Sequence, residues 1–285
     1  LLFAVVPAPY NAVCLFLNGL PLGMVWGLVF GFLEGRKLSE VLGAGLSASY
    51  IVASGFVKTA GKMVMDWGIP EVWMPFATGL LFSIPFVVAV WMLSKLPPPT
   101  AEDEAARTRR APMNGEERKR FFMSFAPGLV PLVLLYVVLT AYRDFRDNFA
   151  REIWDAVGYA GQPEIFSMAE LPIAFGVLVV LASIMGIRNN RTALLVVHGI
   201  MLAGTVLIGV STGLYQAGWI GPASWMILVG LGLYVGYVPY GCVLFDRLIA
   251  AVGFVGTAGF LIYLTDAFGY LGSVLLLLYK EIGYA

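Results

Sequence analysis

The sequence predicts an all-α polytopic membrane protein in which one charged loop separates two groups of helices. Of its 285 residues, 59% are hydrophobic and only 13% are charged, whereas soluble domains carry about 25% charged residues. Apolar runs of about 20 residues recur along the chain, each long enough to cross a bilayer as a helix. The pattern stops between residues 97 and 120, where 11 of the 36 charged residues (18 basic and 18 acidic) lie in one continuous stretch.

Eight full spans follow from the apolar runs and the turn signals between them. The chain opens with an apolar stretch and no initial Met, which predicts the end of a helix at residues 1–7, so we expect the sequence to be a fragment. The spans are predicted at about 11–34, 39–65, 72–95, 124–148, 168–187, 192–213, 223–245 and 249–279. The connections are rich in Gly, Pro, Asn and charged residues, and one turn is predicted at Asp246 and Arg247.

Basic residues are distributed unequally between the two sides of the predicted membrane protein. Twelve of the 18 lie in the loops on the side of the charged central loop, and six lie elsewhere. Short cytoplasmic loops carry the excess of Lys and Arg, so we expect the central loop to be cytoplasmic. The predicted location is a bacterial inner (plasma) membrane.

A weak internal repeat relates the two halves of the chain. At an offset of 210 residues, the predicted helix pair at 11–65 aligns in sequence with the pair at 223–279. Both pairs run in the same direction through the membrane. Its matched positions include Gly31 with Gly241, Lys37 with Arg247 and Gly43 with Gly253. The predicted units are a first helical bundle at residues 1–96, a cytoplasmic linker at 97–121 and a second helical bundle at 122–285.

The two-bundle organisation, the charged loop and the parallel repeat resemble the major facilitator superfamily. GFLEGRK at residues 31–37 resembles the basic end of the family's helix 4, and FDR at 245–247 would be its counterpart after helix 10. The counterpart of the family's helix 2–3 signature, GIRNNR at 186–191, keeps the glycine and the arginines but lacks the aspartate. The resemblance implies an incomplete major-facilitator-like fold, from the end of helix 3 to helix 11. It also implies secondary active transport of a small solute by alternating access.

The richest group of charges is YRDFRDN at residues 142–148, in the span that would be helix 7. Arg143, Arg146 and Asp147 are spaced three or four apart and share one helix face. A guanidinium binds carboxylate or phosphate with two parallel hydrogen bonds, so Arg143 and Arg146 are candidate ligands for an anion. The segment also resembles the helix-7 arginine segment of organophosphate:phosphate antiporters, which implies an organic or phosphorylated anion. The alternative is a salt-bridged helix end at the outer surface.

Three further charged groups within the spans are candidate site residues, because charges are costly in a membrane. Lys58 could bind substrate or neutralise a carboxylate, or it could extend its amine to the interface. Asp266 and Asp147 are candidate proton-coupling groups, since a carboxylate in a span can take up and release a proton. The alternative for Asp266 is an ion pair with a basic residue of a neighbouring helix.

Polar side chains on two other spans complete the candidate site. Asn18, Tyr237 and Tyr240 lie on the spans that would be helices 4 and 10, and the resemblance implies that these helices line the central cavity. The alternative for the tyrosines is packing in the core or at the interface.

The sequence indicates neither an enzyme nor a nucleic-acid-binding protein. It has no His, Cys and carboxylate cluster with metal-ligand spacing, no phosphate-binding loop and no basic patch outside the loops. We therefore expect no metal and no cofactor. The expected partners are the lipid bilayer, a small-molecule substrate and protons as the coupling ion. The alternative function is a membrane sensor or scaffold that keeps a transporter-like fold without transporting.

Overall fold

The protein is all-helical and polytopic in the part of the chain that the structure describes. The computed structural model describes residues 1–33, 39–98, 100–102, 113–253 and 258–283, and every regular element within them is a helix. Eight of these described helices are long and apolar enough to cross a membrane, which confirms the predicted number of spans.

The central loop divides the helices into two segments. The first segment contains α1 (Leu2–Val5), α2 (Asn11–Leu33), α3 (Ser39–Asp66) and α4 (Met74–Ser94). The second segment contains α5 (Gly115–Asn148), α6 (Ala150–Trp154), a π-helical turn (Asp155–Tyr159), α7 (Glu164–Met185), α8 (Asn190–Gln216), α9 (Pro222–Cys242), α10 (Leu244–Val252) and α11 (Ala258–Gly283). Because α4 ends and α5 begins at the central loop, we call that end of the molecule the loop side and the opposite end the far side.

The long helix α5 begins inside the stretch predicted as linker. Asn114 starts it with a capping box: its side chain accepts from the Glu117 amide at 2.9 Å, and the Glu117 carboxylate accepts from the Asn114 amide at 2.8 Å. The helix therefore has 34 residues, about 51 Å, which exceeds a hydrocarbon core of about 30 Å. Residues 103–112 of the central loop lie outside the described residues.

The turn predicted at Asp246 and Arg247 is wrong, and so is the start of the last span at residue 249. Both residues lie in α10, a short helix that follows α9 after a break at Val243. The break lies four residues after Pro239, and α10 ends at Gly253, whose left-handed conformation (φ 67°) suits glycine. The second copy of the predicted repeat thus contains a short helix between its two spans. Lys37 of the first copy lies outside the described residues.

Helix α9 forms the centre of the second segment. In its most apolar stretch 67% of residues are buried, whereas none is buried in the corresponding stretch of α2. It packs against α8 on one side and α7 on another, and α5 packs along α11. The main core contains residues from α3, α5, α7, α8, α9, α10 and α11, so one apolar core joins the two segments.

The backbones of the two segments come close together where α3 crosses α7. A Cβ atom at Gly55 of α3 would lie 2.8 Å from the Phe166 carbonyl oxygen and 2.9 Å from the Ser167 Cα of α7. Only glycine allows the two backbones to approach this closely. This crossing fixes α3 beside the second segment, and a cavity lies next to it.

Candidate functional site

A cavity of about 400 Å³ lies between the two segments. The first segment contributes α2 and α3 to its wall, and the second contributes α5, α9 and α11. The side chains that matter for its chemistry are Trp26, Tyr50, Tyr136, Arg143, Tyr237 and Asp266. We call this space the central cavity.

Arg143 lines the central cavity and is also part of an ion pair. Its guanidinium carbon lies 4.5 Å from the centroid of the Tyr237 ring, which is cation–π geometry. Its Nε and Nη2 donate to the same oxygen of Asp144, at 2.9 and 2.7 Å. The side chain is 14% exposed, so the pair lies inside the protein rather than in outer water. Arg143 thus lies at a cavity, as expected for an anion ligand, and is also salt-bridged, as expected for the alternative.

Asp266 lies in the cavity wall beside two tyrosines. The Tyr136 hydroxyl donates to Asp266 Oδ1 and lies 3.0 Å from the Tyr237 hydroxyl. Among the described residues no Lys or Arg forms an ion pair with Asp266, which differs from the alternative stated for it. The carboxylate thus shares a short hydrogen-bonded chain with neutral phenols from α5 and α9.

Tyr237 and Tyr240 both reach the central cavity, through different groups. The Tyr237 ring stacks on Tyr136, with centroids 5.1 Å apart, and also lies under the Arg143 guanidinium. The Tyr240 hydroxyl donates to the Leu132 carbonyl at 2.8 Å, so its ring rather than its hydroxyl is available to a ligand. The sequence prediction for α9 therefore identified two residues of the cavity wall.

A second group of charges joins α3, α5 and α7 outside the central cavity. Lys58 Nζ lies 3.0 Å from Asp147 Oδ1, and Arg146 Nη1 lies 2.9 Å from Glu170 Oε1 and 4.0 Å from Asp147 Oδ1. This four-residue ionic chain contains two positive and two negative groups. Arg146 lines neither described cavity. Arg143 and Arg146 are therefore not at one site, although their spacing predicts a shared helix face.

A larger and more open cavity, of about 960 Å³, lies on the far side. Asn18, Lys58 and Asp147 are in its wall, together with the end of α3 and the π-helical turn. Of the predicted site residues, Arg143, Tyr237, Tyr240 and Asp266 thus lie at the central cavity and Asn18, Lys58 and Asp147 at this far-side cavity.

Several residues of the site were not predicted from the sequence. Trp26, Tyr50 and Tyr136 lie in apolar runs, where an aromatic residue usually indicates core packing. Glu170 lies in the predicted span 168–187 and is a charge in an apolar span, which was a usable signal. The tyrosines gave no comparable signal, because their position in the cavity wall depends on which helices pack together.

The described residues contain no group of three or more His, Cys, Asp or Glu side chains that could hold a metal ion. The central cavity combines an aromatic wall with one ion pair and one carboxylate hydrogen-bonded to a phenol. No curated protein and no solved structure matched this chain. A family model does match it along residues 1–285, and the chain accordingly belongs to DUF5690, a family of unknown function.

Proposed function

We propose that the protein is a secondary active transporter of a small solute, with a major-facilitator-type fold and alternating access. The observation that carries the proposal is the central cavity, which lies between the two segments and contains ionisable groups in an aromatic wall. A volume of about 400 Å³ is within the range of small-molecule sites, about 300–1,000 Å³. A site at the boundary of two helical units can open to either side when the units rock.

Two further features support the proposal. Helices α2 and α9, which would be helices 4 and 10 of the superfamily, both contribute to the cavity wall. Asp266 supplies a carboxylate within a span, which suits protons as the coupling ion. The anionic substrate implied by the antiporter resemblance has weaker support, because Asp144 already neutralises Arg143.

The alternative, a membrane sensor or scaffold, is favoured by one observation. Lys58, Arg143 and Arg146 are each in an ion pair. A protein that does not transport can keep all of these charges in permanent ion pairs. A transporter must in addition change conformation. The two functions therefore differ in whether the central cavity opens to both sides.

Cysteine accessibility tests this difference without knowledge of the substrate. Ser47 lines the central cavity and is 1% exposed, so a cysteine there reacts only when the cavity opens. We expect Ser47→Cys, in a variant with Cys14→Ser and Cys242→Ser, to react with a membrane-impermeant thiol reagent from either side. The measurement uses membrane vesicles of both orientations.

A matched control separates opening of the cavity from general loosening. Ser211 of α8 is fully buried and lines neither described cavity, so Ser211→Cys should stay unreactive from both sides. Reaction of Ser47→Cys from one side only, with Ser211→Cys protected, would support the sensor or scaffold and overturn transport.

A further inference from the structure

Among the described residues, one carboxylate at the central cavity, Asp266, is in no ion pair. Arg143 is neutralised by Asp144, and the ionic chain of Lys58, Asp147, Arg146 and Glu170 contains equal numbers of positive and negative groups. Asp266 is hydrogen-bonded to the neutral Tyr136 instead. Because an isolated charge in a membrane is costly, Asp266 needs either a proton or a positively charged ligand.

The wall around Asp266 suits a positively charged organic ligand better than an inorganic ion. Six aromatic side chains line the cavity: Trp26, Tyr50, Tyr136, Tyr237, Tyr240 and Tyr270. Aromatic faces attract ammonium groups, and several of them around one space form the kind of cage that binds quaternary ammonium ions. The described residues in the wall hold a single carboxylate, which is too few oxygen ligands for a hard metal cation.

We propose that the central cavity binds a small organic cation of the aromatic or alkyl ammonium class, with Asp266 as its counter-ion. This inference rests on the proposed function and names the substrate class of that site. The Arg143–Asp144 pair has no net charge and covers one face of Tyr237, so it shapes the wall without repelling the ligand strongly.

Proton exchange follows from the same charge balance. When the cation binds, the proton leaves the Asp266 carboxyl and passes to water, and when the cation leaves, the carboxylate takes up a proton again. The carboxyl O–H bond breaks, a water molecule accepts the proton, and no bond of the cation changes. The titratable groups that line the cavity with Asp266 are Tyr50 of α3, Tyr136 and Arg143 of α5, Tyr237 and Tyr240 of α9 and Tyr270 of α11. Asp266 is the single carboxylate among these described residues, so the exchange is assigned to Asp266.

Calorimetric titration of the purified protein tests the proposal. The probes are benzyltrimethylammonium and, as an anion with the same ring, phenylphosphonate. We expect saturable binding of benzyltrimethylammonium with release of a proton, measured in buffers that differ in ionisation enthalpy. Asp266→Asn should lower the affinity for the cation at least about tenfold, because it removes a charged partner and keeps the shape of the side chain. Asp66→Asn, the same change at an exposed pair on α3, should leave binding unchanged.

A second variant makes the outcome independent of how well Asp266→Asn folds. Asp144 lies outside the cavity wall, and Asp144→Asn leaves Arg143 without its neutralising partner. We expect the Asp144→Asn variant to bind the cation more weakly and to bind phenylphosphonate more tightly than the unmodified protein. Equal cation affinity in Asp266→Asn and the unmodified protein, absence of saturable cation binding, or phenylphosphonate binding by the unmodified protein overturns the inference. Two-sided labelling of Ser47→Cys without cation binding would overturn the substrate class and leave transport standing.

Discussion

Arg143 and Arg146 are three residues apart on α5, yet their guanidinium groups have different surroundings. Arg143 is held by its neighbour Asp144 at the cavity wall, whereas Arg146 is 6% exposed and pairs with Glu170 of α7, which is 9% exposed. A buried ion pair contributes little net stability, because both charges lose hydration, but removing one partner leaves the other uncompensated. We therefore expect the loss of Arg146 to affect stability.

Replacing Arg146 tests this interpretation. Arg146→Met should lower the free energy of unfolding by about 3–5 kcal/mol, because Glu170 would stay buried without its cationic partner. One Glu170 oxygen has no hydrogen-bond partner among the described residues, so no other described donor would replace the lost guanidinium. The measurement is detergent-induced unfolding of the purified protein in mixed micelles.

Two further variants accompany Arg146→Met. Adding Glu170→Met should recover most of the loss, since a well-packed apolar pair replaces the buried ions at little cost. Lys62→Met breaks the pair with Asp66, which is 51% exposed, and should cost less than about 1 kcal/mol. Equal losses for Arg146→Met and Lys62→Met would contradict the distinction between buried and exposed pairs.

The sequence predicted the charged group on α5 but could not divide its members between two sites. Helical spacing relates Arg143, Arg146 and Asp147 to one another and to nothing outside α5. Their roles depend on Tyr237 and Glu170, which reach them from α9 and α7. Contacts between distant spans follow from packing, which the local pattern does not contain.

Among the elements, α8 and α9 form the closest helix crossing of the second segment. A Cβ atom at Gly204 of α8 would lie 2.5 Å from the Gly232 carbonyl oxygen of α9, and a Cβ at Gly232 would lie equally close to the Gly204 oxygen. The obstacles are backbone atoms, which cannot rotate away as a side chain can. Such small residues allow helices in a membrane to pack closely and gain van der Waals contacts.

Substituting one of these glycines should separate the two helices. Gly204→Ala should lower the free energy of unfolding by about 1–3 kcal/mol, the usual cost of overpacking a tight contact. Gly209→Ala on the same helix meets nothing within 4 Å and should be neutral or slightly stabilising, because Ala favours helix more than Gly does. Both are measured by the same unfolding titration, and equal stability of the two variants would contradict the crossing.

The eight spans were predictable, but α10 was not. Hydrophobic runs of about 20 residues mark a span reliably, because the bilayer requires that length. Helix α10 has nine residues and contains Asp246 and Arg247, so its charges resembled a turn between two spans. Its apolar residues Leu244, Phe245 and Ile249 are buried in the core, a pattern too short to distinguish from a span end.

In the whole molecule, ion pairs connect the two segments on both sides of the central cavity. On the loop side, Glu40 of α3 pairs with Arg247 of α10 at 2.9 Å. Towards the far side, Lys58 of α3 pairs with Asp147 of α5 at 3.0 Å. Under the proposed alternating access, each pair would have to break when the cavity opens on its own side. The central loop that separates the two segments was predictable from its charges, whereas these bridging pairs were not.

Breaking either pair should therefore shift the opening of the cavity in opposite directions. Glu40→Gln should raise the labelling rate of Ser47→Cys from the loop side, and Lys58→Gln should raise it from the far side. Each change should be about fivefold, for a pair that contributes about 1 kcal/mol to the closed state. Lys62→Gln is the control, because its pair with Asp66 lies within α3 and does not bridge the segments. Equal acceleration from both sides by Glu40→Gln would mean that the pair stabilises the fold generally, and no change in either variant would mean that the segments do not move apart there.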